Sequence, residues 1–154
     1  MLSVHVTYDI LEGATGDASF ARGGRVGPGE VGAWVEFRGI VRRIGEGAGV
    51  VAMTYDGHVR LIRKAVGRMA DAVARAASAP WDGRIVLRLG RVDVGDVGVV
   101  IATTSAHRAA AYEANLALLE GLKRQVPIWK CEHYDDGTSV WLDGRSLRAE
   151  LDEW

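Results

Sequence analysis

Between Thr104 and Lys130 the chain reads TSAHRAAAYEANLALLEGLKRQVPIWK, with four side chains able to hold anions or move protons. His107 and Arg108 stand where a helix should begin, Lys123 falls in its last turn, and Lys130 follows Pro127. A helix start presents free N–H groups and a partial positive charge. Acidic residues are the usual neighbours there, so a basic pair points to an anion from elsewhere. Lys123 suits the negative end of the helix for electrostatic reasons alone. The proline turn, however, can fold Lys123 and Lys130 toward one another. Neighbouring ammonium groups lower each other's pKa and so suit acid, base or nucleophilic work.

Geometry limits how these residues combine. His107 and Lys123 are 16 positions apart, roughly 24 Å along a helix rising about 1.5 Å per residue. One small ligand does not span that distance on a single helix. Either there are two sites, or one pocket takes the helix start from one subunit and the lysines from another. An antiparallel pairing about a two-fold axis builds the shared pocket twice per dimer, and this is the expected arrangement.

The elements that must carry these residues follow from periodicity. Residues 3–10 alternate as a strand, and 11–30 are glycine-rich and read as loop. Residues 31–43 and 50–57 read as strands around the turn 44–49, a hairpin in the simplest case. Residues 58–77 carry Val59, Ile62, Val66, Met69 and Val73 at three- and four-residue steps, an amphipathic helix with an arginine-rich solvent face. Strands follow at 84–94 and 97–105 around Gly95-Asp96. The second helix runs from about Ala106 to Arg124, with Ser105 as the expected cap and Pro127 as the stop. Residues 128–134 and 139–142 form a closing hairpin, and 143–154 a polar tail. Strands, helix, strands, helix, strands make an α+β fold with a largely antiparallel or mixed sheet.

The 154 residues suit one domain, with 1–30 as an N-terminal strand and loop. A formal net charge of -1 gives no global attraction to nucleic acid or anionic membrane. The single cysteine excludes an internal disulfide and a cysteine-based zinc site, and fits a reducing cytoplasm. The opening MLSVHVTYDI does not read as a secretory signal. No apolar run is long enough to span a bilayer. His5, His58 and His133 lack metal-ligand spacing, so no metal is expected. The glycines of 22–32 lack the Gly-Lys-Ser/Thr of a phosphate loop and precede a strand, so a surface connection is expected. Cys131 follows Lys130, and a nearby cation activates a thiol. A lone strand cysteine is more often a small apolar filler, the reading preferred here.

At this point the sequence resembles a known family. The run from Thr104 through Lys130-Cys131-Glu132 looks like the signature of the large, catalytic subunit of molybdopterin synthase, the MoaE family. VGAWVEFRGIVRR and RLGRVDVGDVGVVIATTSAHR resemble its other two motifs, and the match covers roughly residues 31–142. The resemblance implies an α/β-hammerhead fold and a homodimer at the centre of a heterotetramer. It implies a small ubiquitin-like sulfur carrier of the MoaD type, ending in Gly-Gly, whose terminal thiocarboxylate delivers sulfur to cyclic pyranopterin monophosphate. Two deliveries build the dithiolene of molybdopterin, and no bound cofactor is implied. Carried over position by position, substrate binding falls on Ile40, Val41, Arg42, His107, Arg108, Lys123, Lys130, Cys131 and Glu132. Lys123 is the catalytic lysine, supported by Lys130. Three departures stand out: Cys131 where a basic residue is common, Leu87 where many members have histidine, and a divergent MTYDGHVRLIRK. The last two are expected to concern packing or the rim. The rival expectations are a non-catalytic dimer binding a phosphorylated ligand or peptide carboxylate and, more weakly, a nucleotide-binding regulator.

Overall fold

A computed structural model describes residues 1–11, 25–27, 29–43 and 49–142. Strands β1 (Leu2–Thr7), β2 (Ala33–Ile40) and β3 (Val50–Asp56) precede helix α1 (Val59–Ala76). Then come β4 (Trp81–Arg88), β5 (Gly90–Asp93), β6 (Val97–Ser105), helix α2 (Arg108–Gln125), β7 (Trp129–Tyr134) and β8 (Ser139–Leu142). One sheet has the order β1-β4-β6-β2, the other β5-β3-β7-β8. Among the described residues only the β1–β4 pairing is parallel. The α+β class with two main helices and a mixed sheet stands as expected.

The valine-rich β6 lies between β4 and β2 and is buried along most of its length. Both helices pack on this first sheet. Ile62, Val66 and Met69 of α1 and Leu118 and Leu122 of α2 join Ile85 and Ile101 in one core. The arginine-rich face of α1 is exposed, as its periodicity predicts. The helices approach closely at Gly121, where an added Cβ would lie 2.6 Å from Met69 Sδ. A buried polar pin fixes the seating of α2. The Asn115 amide donates to the carbonyls of Ile101 (3.0 Å) and Val35 (3.3 Å). Beside it the Thr103 hydroxyl donates to the Ala111 carbonyl at 2.8 Å.

Three local expectations are corrected. β2 and β3 are not a hairpin: β2 pairs with β6, while β3 pairs with β5 and β7 in the other sheet. The strand expected at 84–94 begins at Trp81 and divides in two, β4 pairing in the first sheet and β5 in the second. Gly90, at φ +81°, makes the transfer, in a region that disfavours a side chain. Ser105 is not the cap of α2. It ends β6 buried, its hydroxyl donating to the Pro80 carbonyl at 2.8 Å, and His107 occupies the cap position. The β7–β8 hairpin and both helix extents agree with the sequence reading to within two residues or so. Most of the 11–30 loop, all but Gly49 of the 44–49 turn, and the 143–154 tail lie outside the described residues.

Candidate active site

Helix α2 closes with the Val126 N–H donating to the Leu122 carbonyl at 3.3 Å, and Pro127 turns the chain into β7. That turn brings Lys123 and Lys130 onto one cleft of about 200 Å³. Its wall is drawn from several elements: Phe37 and Ile40 of β2, Tyr55 of β3, Leu87 and Arg88 of β4, and Val99 of β6. Lys123, Arg124, Trp129 and Lys130 also line a neighbouring hollow of about 220 Å³, so the lysines stand on the ridge between two depressions. The first cleft has three cationic side chains and no carboxylate among its lining residues. Such a wall favours an anionic occupant.

Two polar lining residues, Tyr55 and Arg88, lie in stretches singled out from the sequence but were given no site role there. Tyr55 sits opposite Lys130 in the β3–β7 register, with Lys130 Nζ 6.0 Å from its ring centroid, the outer limit of a cation–π contact. Burial pushes the Tyr55 phenol above its ordinary value of 10.0, so at neutral pH it is an uncharged hydroxyl in the cleft wall. Arg88 is 9% exposed. Its Nη1 donates to Asp96 Oδ2 at 3.2 Å and its Nη2 to the Arg91 carbonyl at 3.0 Å. Its Nε is buried with no protein acceptor. The sequence signal for Arg88 was an arginine closing an otherwise apolar strand, RIVLRLG. Leu87 and the divergent stretch MTYDGHVRLIRK were expected to serve packing or the rim, yet Leu87 and, from that stretch, Tyr55 line the cleft itself.

The opposite end of α2 is built differently. His107 caps the helix with an extended backbone and no side-chain cap bond, and the first turn has no acidic residue. His107 and Arg108 are exposed and do not line the lysine cleft. The structure therefore brings together Ile40, Lys123 and Lys130 but not the helix-start pair, as the length of α2 demands. Arg42 is exposed just past the end of β2. Val41 is buried, and its backbone is engaged at both ends: its N–H donates to the Asp96 carbonyl (3.0 Å) and its carbonyl accepts from Gly95 N–H (2.8 Å). Cys131 is buried at 3% exposure, which suits the filler reading. Glu132, half-buried, accepts a hydrogen bond from the Tyr134 hydroxyl at 2.5 Å. The ring nitrogens of His133 contact Thr54 Oγ1 (2.7 Å) and Ser139 Oγ (2.8 Å), a structural bridge from β3 to β8. No described helix is long and apolar enough to cross a membrane.

A mixed α+β scaffold with a basic cleft at the end of its second helix defines a class of protein that receives anions. The family model described as MoaE protein matches residues 17–125, and the chain belongs to that family. It is 36% identical over 119 residues to the molybdopterin synthase catalytic subunit of Synechococcus elongatus, covering 77% of this chain and 72% of that one. The crystal structure of molybdopterin synthase from Staphylococcus aureus superposes with a TM-score of 0.77 at 27% identity, over 90% of this chain and 96% of that one. A protein–protein complex of subunits 1 and 2 of molybdopterin-converting factor from Helicobacter pylori shares the fold, with a TM-score of 0.68 at 19% identity, over 94% and 91% of the two chains.

Proposed function

We propose that this chain is the catalytic subunit of molybdopterin synthase, a cytoplasmic sulfurtransferase working as one domain. It takes sulfur from the C-terminal thiocarboxylate of a small carrier subunit and places it on cyclic pyranopterin monophosphate. The observation that carries this reading is the cleft where Lys123 and Lys130 meet with no carboxylate among the lining residues, the third cation, Arg88, being already paired with Asp96. Two anions, a phosphate and a thiocarboxylate, must be held together for the reaction, and the cations offset their mutual repulsion.

The roles divide by chemistry. Guanidinium groups grip phosphate through paired donors, so Arg42 and Arg108 hold and orient the pterin phosphate, with His107 as donor or proton shuttle. The thiocarboxylate sulfur attacks a side-chain carbon of the pyranopterin and displaces a C–O bond, the oxygen leaving as water or on the opened phosphate, to give a carrier–pterin thioester. Water then adds to the thioester carbonyl. The tetrahedral oxyanion collapses with cleavage of the C–S bond, leaving the carrier as a carboxylate and sulfur on the pterin. Lys123 stabilises that oxyanion and moves its proton, while Lys130 seats the carrier's terminus. Because Lys123 and Arg108 occupy opposite ends of an 18-residue helix, each complete site takes its helix start from the second copy of a homodimer. The test is direct: mix the protein with a thiocarboxylated carrier and the pyranopterin and look for dithiolene. Stoichiometric product supports the reading. Binding of both partners without product reduces the chain to a binding module.

A further inference from the structure

Arg88 has a place in the site that its burial does not explain. An apolar side chain could fill the same volume without leaving a buried donor unpaired, yet Arg88 keeps Nε without an acceptor. Its two terminal nitrogens are committed to Asp96 Oδ2 and the Arg91 carbonyl, so it ties the end of β4 to the chain on both sides of Val92–Gly95. Asp96 and Gly95 in turn hold Val41 by two backbone hydrogen bonds of 3.0 and 2.8 Å. Val41 follows Ile40, where the β2–β6 register shifts and the strand leaves the sheet. Ile40 lines the lysine cleft, and Arg42 is the first exposed side chain beyond it.

We propose that Arg88 is a positioning residue of this site: through Asp96 it braces the turn that clamps Val41, and so sets where Arg42 stands, two residues past Ile40 of the lysine cleft. The inference rests on the functional reading above only in taking Arg42 as a phosphate contact. Charge alone does not suffice for this role, because the brace needs two donors at fixed angles, which a guanidinium has and an ammonium on a flexible stem does not.

The experiment is a calorimetric titration of the dimer with cyclic pyranopterin monophosphate, alongside steady-state sulfur transfer. Arg88→Gln and Arg88→Lys should each weaken pterin binding and raise its KM by about tenfold, with a smaller change in kcat, because the loss is of binding geometry. Asp96→Ala, at a position whose side chain is 40% exposed, should reproduce the effect and decides the matter if the Arg88 variants do not fold. The sharpest readout is the pair: in an Arg42→Ala background, Arg88→Gln or Asp96→Ala should add less than about twofold, since a brace with nothing to position is silent. Losses that multiply with Arg42→Ala, or an Arg88→Lys protein that binds like wild type, would overturn the proposal. The titration needs no turnover, so failed sulfur transfer by wild type counts against the functional reading and leaves this test standing.

Discussion

The two ends of α2 carry comparable positive charge and yet are built on different terms. At the C-terminal end, Lys123 faces Lys130, Tyr55 and Arg88 around a cleft assembled wholly within one chain. At the N-terminal end, His107 and Arg108 are exposed, and neither lines that cleft. Five strands, β2, β3, β4, β6 and β7, and a proline turn converge on the first. The second stands at the end of a strand whose last hydroxyl, on Ser105, is turned inward to Pro80. The difference teaches that a site can be half complete in a folded chain. One end carries its own walls, and the other offers donors that a second copy can use.

That contrast can be broken by experiment. Lys123→Ala should show the largest effect, a loss of about 10²–10³ or more in dithiolene formation with carrier binding nearly intact. Near-normal turnover would remove Lys123 from the chemistry. Co-expressing Lys123→Ala and Arg108→Ala chains tests whether the ends act in trans. If they do, each mixed dimer has one site free of both lesions, and random pairing restores about a quarter of wild-type activity. If both ends of one helix serve the same site, mixing restores nothing.

A smaller effect concerns the cleft wall at high pH. The Tyr55 phenol is raised by burial, so it favours the folded state fully below pH about 10 and loses that contribution as pH climbs through the folded value. Tyr134 is raised as well, first by its bond to Glu132. Tyr55→Phe should therefore soften, without abolishing, the alkaline fall in stability, measured as unfolding midpoint between pH 9 and 11. Identical alkaline curves for variant and wild type would contradict the burial argument. Cys131→Ala should have the least consequence: about 1 kcal/mol of stability, from the small void left, and at most about a threefold fall in turnover. Damage on the scale of Lys123→Ala would make the thiol a nucleophile.

Much of the fold was legible because it obeys local rules. The three- and four-residue spacing from Val59 to Val73 marks α1, and Pro127 marks the end of α2. What was missed depends on long-range pairing. No local signal tells β2 to pair with β6, between 57 (Ile40 to Val97) and 72 (Ala33 to Ser105) residues away in sequence, rather than with β3. The division of β4 from β5 rests on Gly90, one glycine among 20. Ser105 has the right chemistry for a cap, but the β6 ladder keeps it extended for two residues too many. For the site, Lys123 and Lys130 could be read from the proline turn between them. Arg88 and Tyr55 could not, because only the meeting of the two sheets brings them to the same wall.

The continuity of β4 into β5 bears on how a guest enters. A single run of backbone belongs to both sheets, and the cleft takes Arg88 and Leu87 from one and Tyr55 and Lys130 from the other. Its jaws are stitched by the polypeptide itself and cannot swing apart without unravelling a ladder. The host is thus a slot fixed by its own ladders, and any adaptation needed to reach its floor falls on the guest.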